Sequence, residues 1–191
     1  PKRFLFLRLI NLGTYYLSAL FSGLFLKKKP DVIVAQTDPP LLGFLAVFFS
    51  FIFNAKFIYY CQDIYPDVGI ISGKLRNPIF TFILTVANMI SYKFAWKIIV
   101  IGESMKKLLL KKGIPEDKIT VIHNWADTKN VYPVGKNQNI FISKYNLSNT
   151  FTVMYSGNLG FTQNLEKVLE VADEFKNHKN IKFIFIGDGG N

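Results

Sequence analysis

Polar side chains follow each of four apolar, strand-like segments in the first 130 residues. In chain order these groups are Thr37 and Asp38, then Gln62 and Asp63, then Gly102, Glu103 and Ser104, then His123 and Asn124. Ligands of open parallel sheets bind at the carboxyl ends of the strands, so we expect the four groups to meet at one crevice. Asp63 is the leading carboxylate there. It suits either the activation of an acceptor hydroxyl or the capping of a turn.

Two glycine-rich segments follow later strand-like segments and could receive an anion. The first runs from Ser156 to Gly160 before a helix predicted to begin near Asn164, and the second begins at Gly187 and Asp188. Glycine lets a backbone approach an anion closely, and a helix N-terminus offers N–H groups and a positive dipole. The first segment therefore predicts a diphosphate cradle, although an ordinary turn explains the same residues. Neither segment has the G-x-G-x-x-G or the G-K-[ST] pattern.

The other reactive side chains indicate no metal site and no nucleophilic triad. His123 and His178 have no partner at a metal-ligand spacing and are interpreted as structural. The single cysteine, Cys61, is interpreted as a core residue; it excludes an internal disulfide and fits a reducing cytoplasm. We therefore expect neither a metal nor a cofactor.

The hydrophobic pattern places these residues on alternating strands and helices. Strands are predicted at 31–37, 56–61, 97–101, 118–122, 151–156 and 181–186, and helices at 9–26, 41–53, 77–94, 104–113 and 164–178. Continuous apolar strands between helices predict parallel sheets covered on both faces, in an α/β fold. The polar stretch 127–150 is interpreted as linker and loop. We predict one domain at 1–130, a linker at 131–150 and the start of a second domain at 151–191.

The charge is strongly basic, with 23 lysines and arginines against 13 acidic residues. Basic residues cluster at 1–30 and at 106–112, in both cases beside apolar, aromatic-rich sequence. This mixture favours an anionic membrane surface over nucleic acid as the partner, although a solvated basic surface has the same composition. Residues 9–26 carry no charge, close to the length of a membrane span. A polar stripe on this segment favours a helix packed on a sheet instead: Asn11, Thr14, Ser18 and Ser22.

Five segments, taken in order, resemble retaining glycosyltransferase family 4. They are DPPLLG, QDIYPD, GESMKKLLLKKGIPEDKITVIHNWAD, YSGNLGFTQNLEKVLEVA and FIFIGDGG. The sugar transferases of bacterial capsule, O-antigen and colanic-acid synthesis are the most similar branch. The resemblance implies the GT-B fold of two Rossmann-like domains, with 1–130 on the acceptor side and 151–191 on the donor side. It also implies a nucleotide-diphosphate sugar donor, often UDP-linked, and a lipid-linked glycan acceptor at the cytoplasmic membrane face, where the protein would be peripheral.

The resemblance extends to single positions. Gly157, Asn158 and Gly160 match the loop that approaches the donor diphosphate, and Gly187 and Asp188 match a second donor-side loop. In the first-domain crevice, the matching polar positions are those of Asp63 and Asn124. Many members place an arginine near Asn158 and a lysine near Gln163, and this sequence has neither.

The family pattern extends beyond this sequence at both ends. Its E-x7-E element would lie past Asn191 and its first strand before Pro1, so we expect a fragment that is poorly soluble and inactive alone. Two other functions stay open: a membrane-anchored, non-catalytic protein that uses 9–26 as a span, and a GT-B nucleotide-sugar epimerase. Epimerases of that fold are less aromatic and less basic, and an epimerase would change the sugar without an acceptor.

Overall fold

The computed structural model describes residues 5–73, 75–160 and 163–189, which fall into two compact units, Pro1–Trp125 and Ala126–Asn191. Unit 1 contains, in order, α1 (Leu5–Leu24), β1 (Val32–Gln36), α2 (Leu42–Phe53), β2 (Lys56–Cys61), α3 (Asp67–Ile71), α4 (Pro78–Phe94), β3 (Lys97–Val100), α5 (Glu103–Lys111), a 3-10 turn (Glu116–Lys118) and β4 (Ile119–Val121). Unit 2 contains a 3-10 turn (Lys136–Gln138), α6 (Ile140–Lys144), β5 (Phe151–Ser156), α7 (Leu165–Glu174) and β6 (Ile181–Ile186).

The sheet of unit 1 is parallel, and its strand order β1-β2-β3-β4 is the order of the chain. Right-handed crossovers between neighbouring strands place every connecting helix on the same face. On that face the side chains of Phe57, Tyr59 and Cys61 are buried with Ile98 and Val100. The predicted parallel sheet is therefore confirmed, but among the described residues of unit 1 the predicted helices on its second face are not found. The opposite face is more open, since Val32 and Val34 of β1 are 46% and 60% exposed.

Helix α4 is fixed by its cap and by a buried polar contact. The side chain of Asn77 accepts hydrogen bonds from the N–H groups of Ile79 and Phe80, at 2.9 and 3.1 Å, and a proline occupies the first turn, both of which favour a helix start. Further along, Oδ1 of the buried Asn88 accepts a hydrogen bond from the hydroxyl of Tyr59. These contacts fix the helix against the sheet.

Helix α1 lies against α2. An added Cβ at Gly23 would meet the ring of Phe49 within 2.1 Å, so glycine is what allows this approach. The stripe of Asn11, Thr14, Ser18 and Ser22 is exposed, while Tyr16 is half-buried. Among the described residues, no helix is both long enough and apolar enough to cross a bilayer.

The helix starts predicted at Ser104 and near Asn164 lie within one residue of the observed starts, but neither side chain caps its helix. Ser104 does not cap α5, because that helix begins at Glu103 after an extended Gly102, with no side-chain cap. Asn164 precedes α7, but its φ of 49° is left-handed and its side chain makes no cap bond.

The stretch 127–150 is also more ordered than its polar composition indicates. The side chain of Asn139 accepts hydrogen bonds from the N–H groups of Phe141 and Ile142 and caps α6. Leu147 is buried after this helix. One buried leucine and one cap are too weak a pattern to be recognised among five asparagines.

Candidate functional site

The carboxyl edge of the unit 1 sheet is held together by a buried threonine. Thr37 is fully buried, and its hydroxyl oxygen accepts hydrogen bonds from the N–H groups of Gln62 and Asp63, each 3.1 Å long. This contact joins the end of β1 to the end of β2. The backbone is therefore fixed at Gln62 and Asp63, directly after β2. The half-buried side chain of Asp63 projects from this fixed segment.

Asp63 shares this edge with another carboxylate and a tyrosine. The pKa of Tyr65 is raised first by burial and then by the charges of Asp63 and Asp38. Its hydroxyl is therefore protonated at neutral pH and can donate a hydrogen bond. Tyr65 lies in the QDIYPD segment, but no role was predicted for it because its spacing does not mark it as a site residue.

Asn124 is exposed just after β4. Its Oδ1 accepts a hydrogen bond of 3.1 Å from the hydroxyl of Tyr60 on β2. The neighbouring His123 places Nδ1 3.0 Å from the carbonyl oxygen of Ile101, a contact that favours the tautomer with the proton on Nδ1. Parallel register brings the strand ends to one edge, so the groups that follow β1, β2 and β4 lie on the same side of the sheet. Glu103 and Ser104 lie there too, exposed in the first turn of α5.

The two glycine-rich segments of unit 2 continue the pairing of β5 and β6 beyond the strands. The N–H of Gly157 donates to the carbonyl of Ile186 at 2.9 Å, and the N–H of Leu159 donates to the carbonyl of Asp188 at 3.0 Å. The carboxylate of Asp188 accepts a hydrogen bond of 2.8 Å from the N–H of Gly189. The predicted donor-side positions therefore lie side by side.

Backbone crowding between these loops explains two of the glycines. A Cβ at Gly187 would lie 1.8 Å from the carbonyl oxygen of Gly157, and one at Gly189 would lie 1.9 Å from the carbonyl oxygen of Leu159. Real Cβ atoms do not come this close, so any side chain there would separate the loops. Gly187 thus has a structural role in addition to the donor contact predicted for it.

The first glycine loop contains an exposed amide side chain, that of Asn158. Asn158 is exposed, and its carbonyl accepts a hydrogen bond of 2.9 Å from the hydroxyl of Tyr155. A Cβ at Gly160 would lie 2.7 Å from Nδ2 of Asn158 and 2.8 Å from Oε1 of Gln163. The first lysine of α7, Lys167, forms an ion pair of 2.8 Å with Glu170.

The described residues contain no group of three or more histidine, cysteine, aspartate or glutamate side chains placed to hold a metal ion. Burial raises the pKa of the Cys61 thiol. This residue lies in the core, as predicted.

The profile of Glycosyltransferase Family 4 matches residues 1–130. The chain belongs to this family. Probable glycosyltransferase WbjE of Pseudomonas aeruginosa is 28% identical over 163 residues, which are 85% of this chain and 40% of that protein. Putative colanic acid biosynthesis glycosyl transferase WcaI of Escherichia coli (strain K12) is 23% identical over 189 residues, which are 96% of this chain and 46% of that protein. The family 4 chain thus spans less than half the length of these curated relatives.

Solved structures of Anabaena HepE share the fold of this family 4 chain. The complex with UDP-glucose has a TM-score of 0.54 at 16% identity and covers 82% of this chain and 48% of HepE. The complex with UDP has a TM-score of 0.57 at 14% identity and covers 88% and 51%. At this identity the likeness concerns the fold, and it confirms the predicted GT-B-like α/β class.

Proposed function

We propose that this family 4 protein serves in the transfer of a sugar from a nucleotide-diphosphate donor to a lipid-linked glycan, in the synthesis of a cell-surface polysaccharide. The name of WcaI, which refers to colanic acid biosynthesis, supports the polysaccharide role. The HepE complexes with UDP and UDP-glucose support UDP as the nucleotide.

One observation carries the proposal: Asp63 is fixed at the carboxyl edge by the Thr37 hydroxyl, beside Asp38 and Tyr65. A sugar acceptor needs a hydrogen-bond acceptor for the hydroxyl that attacks the donor, and a half-buried carboxylate on a fixed backbone supplies one. We assign this role to Asp63. Asn124, whose side chain accepts a hydrogen bond from Tyr60, is proposed to make a polar contact with the acceptor or donor in the same crevice.

The glycine loops of unit 2 are proposed to hold the donor. Gly157, Asn158 and Gly160 would lie against the diphosphate, and Gly187 and Asp188 would support them from the adjacent loop. This sequence has neither the arginine near Asn158 nor the lysine near Gln163 that many members have. Backbone N–H groups and the N-terminus of α7 would therefore supply most of the attraction for the diphosphate in this region.

The acceptor proposed here is lipid-linked, so the protein is proposed to work at the cytoplasmic face of the membrane as a peripheral protein. Its net charge of +10 supports attraction to that anionic surface. No cofactor is proposed; the nucleotide sugar is a substrate.

Nucleotide titration of the full-length protein, followed by a transfer assay, tests the proposal. Calorimetry with UDP, UDP-glucose and GDP should show binding of the UDP compounds, and radiolabelled sugar should then appear in a lipid extract of membranes that contain the acceptor. Absence of binding by every nucleotide would refute the donor assignment. Conversion of UDP-N-acetylglucosamine in the absence of any acceptor would assign the protein to the epimerases.

A further inference from the structure

The outer surface of helices α2 and α4 is apolar, although it faces away from the sheet. Each helix buries one side against the core, through Ala46 and Val47 of α2 and through Leu84 and Ala87 of α4. The side away from the core presents Phe44, Phe48 and Phe51 from α2 and Ile79, Phe82 and Val86 from α4, and we call these six residues the α2–α4 face. Each is between 40% and 71% exposed. A helix that covers a sheet ordinarily has charged or polar residues on this side.

The two helices form one continuous surface. Phe44 and Phe82 line a shared groove of about 410 Å³ between the helices. At the other end of the pair, the rings of Phe51 and Phe94 are in edge contact, with centroids 5.2 Å apart. The residues of the α2–α4 face recur at spacings of three and four along each helix, so they form two adjacent stripes. Contiguous apolar patches of this kind mark interaction sites.

This surface also lacks the polar groups that a water-facing or protein-binding helix presents. Neither α2 nor α4 contains an aspartate or a glutamate. Their hydroxyl groups are turned to the helix backbone: Ser50 donates to Val47, Thr81 to Asn77 and Thr85 to Thr81, at 2.7 to 2.9 Å. Hydroxyl donors satisfied in this way can enter a medium without water at little cost.

Lysines and a tryptophan lie at one end of the α2–α4 face. Lys93 is exposed in the last turn of α4, and Nζ of Lys56 lies 4.3 Å from the ring centre of Trp96, which is 48% exposed. Long lysine side chains and tryptophan rings are suited to the boundary between lipid tails and headgroups. Four lysines lie at this edge of the sheet, against three acidic residues: Lys56, Lys93, Lys97 and Lys118, against Asp31, Glu116 and Asp117.

The basic cluster at 106–112 is a weaker candidate for the same contact. Lys106 forms an ion pair of 2.7 Å with Glu116, and Lys112 forms one of 2.9 Å with Asp67. Two of its four lysines are therefore neutralised within unit 1.

We infer that the α2–α4 face docks unit 1 on a lipid bilayer with anionic headgroups, with the phenylalanines in the outer part of the tail region and Lys56 and Lys93 at the headgroups. This inference rests on the proposed function, whose acceptor is held in the same bilayer. The first turns of α2 and α4 lie at the carboxyl edge of the sheet, because both helices run back from strand ends. One end of the docked face therefore adjoins the crevice that contains Asp63.

Vesicle co-sedimentation of the purified protein tests the docking face. The probes are vesicles of phosphatidylcholine alone and of two parts phosphatidylcholine to one part phosphatidylglycerol. We expect wild-type protein to bind the mixed vesicles and the double variant F48Q/F82Q to bind them at least about tenfold more weakly, because each buried phenylalanine contributes enough for about tenfold. The matched control is Phe151→Gln in unit 2, since Phe151 is 71% exposed and Phe82 is 68% exposed. This control should bind as wild type does.

A second variant tests how much lysine charge contributes to vesicle binding. Lys93→Gln should weaken binding to the mixed vesicles about fivefold and leave binding to phosphatidylcholine unchanged. Circular dichroism of each variant establishes that it is folded. Equal vesicle binding by wild type and F48Q/F82Q would overturn the inference. The inference would also be overturned if the wild-type protein is a dimer that does not bind vesicles and F48Q/F82Q is monomeric, since a second copy of the chain would then cover the α2–α4 face.

UDP titration of the same proteins separates this inference from the proposed function. F48Q/F82Q should keep the wild-type affinity for UDP. Loss of vesicle binding with UDP affinity retained supports the docking face. If wild-type protein binds vesicles through the α2–α4 face but binds no nucleotide, the docking face stands and the proposed function fails.

Discussion

The hydroxyl of Tyr59 on β2 donates a hydrogen bond of 2.8 Å to Oδ1 of Asn88 on α4, in the centre of unit 1. The adjacent Tyr92 is equally buried, with its ring centre 5.6 Å from that of Tyr59, but its hydroxyl has no hydrogen-bond partner among the described residues. Two neighbouring tyrosines in one core thus differ in a single hydrogen bond.

Removal of the two hydroxyls should therefore have opposite effects on stability. Tyr59→Phe leaves the amide oxygen of Asn88 buried without its donor, and we expect a loss of about 1–3 kcal/mol in the free energy of unfolding. Tyr92→Phe removes a buried hydroxyl that makes no bond, and we expect no loss or a small gain. Urea unfolding measures both. Equal destabilisation by the two variants would contradict this account of the core.

Gly43 in α2 should not tolerate alanine, although alanine is normally the better helix former. An added Cβ would lie 2.8 Å from both Oγ of Ser91 and the ring of Tyr59. We expect Gly43→Ala to destabilise unit 1 by about 1–3 kcal/mol through overpacking. The control is Gly13→Ala in α1, where nothing lies within 4 Å, and it should stabilise the helix by about 0.5–1 kcal/mol. Thermal unfolding followed by circular dichroism compares them; a stabilised Gly43→Ala protein would refute the close contact.

Unit 1 should lose stability in alkaline solution. Burial raises the pKa values of the Cys61 thiol and of the Tyr59 and Tyr92 hydroxyls above their unfolded values. The folded state therefore holds these protons to higher pH than the unfolded state does. Their contribution is complete below the unfolded pKa values, about 8.5 for cysteine and about 10 for tyrosine, and it is lost as pH rises through the window above them.

The measurement is urea unfolding at a series of pH values between about 7 and 11, a range that spans the unfolded pKa values. Each group contributes a slope of up to about 1.4 kcal/mol per pH unit within its window. Cys61→Ala should be less stable throughout because of the cavity, but its stability should fall less steeply above about pH 8.5, the unfolded pKa of cysteine. Identical slopes for wild type and Cys61→Ala would show that the thiol is not protected by burial.

The paired glycine loops predict a sharp effect of one methyl group on donor binding. Gly187→Ala places a Cβ 1.8 Å from the carbonyl oxygen of Gly157 and must separate the loops. We expect the affinity for UDP to fall by at least about tenfold, or 1.4 kcal/mol. Gly135→Ala is the control in the same unit, since its φ is −57° and nothing lies within 4 Å of an added Cβ. In the full-length protein, Gly157→Val should abolish binding by filling the approach itself, and unchanged affinity in both loop variants would remove the donor assignment.

Asp63→Asn should lower turnover far more than donor affinity. The variant keeps the N–H bond to Thr37 but loses the carboxylate that would receive the acceptor hydroxyl, and such groups contribute about 10²- to 10⁴-fold to rate. Steady-state transfer assays and UDP titration separate the two quantities. Asp31→Asn, exposed before β1 at the opposite edge of the sheet, should change neither. A loss of UDP affinity with turnover retained would give Asp63 a structural role.

Most of the elements could be predicted from sequence because each carries strong local signals. Strands such as Lys56–Cys61 and Phe151–Ser156 are short apolar runs between breakers, and α4 begins with an asparagine and a proline. The predicted bounds of these three elements agree with the structure. Asn164 lies before α7 but does not cap it. Asparagine can adopt a left-handed backbone as well as a capping conformation, and the local sequence does not decide between the two.

The candidate site could be predicted only as a set of strand ends. Asp63, Asn124 and the glycines were found because they follow strands, which is a property of topology. The anchoring role of Thr37 and the contact between Tyr60 and Asn124 join residues 25 to 64 positions apart, so no periodicity or spacing reveals them. The crowding of Gly187 against Gly157 likewise arises from the parallel register of the two strands β5 and β6 and not from either loop alone.

The order of strands in unit 1 matters for how the protein is made. Each new strand pairs with the strand synthesised just before it, so β2 can add to β1, and β3 to β2, while later residues are still inside the ribosome. None of the four described strands of unit 1 must wait for a distant partner, and the segment closed at each step contains one helix, or two between β2 and β3. These four strands can therefore pair in chain order during translation, which shortens the time during which they are open to other nascent chains.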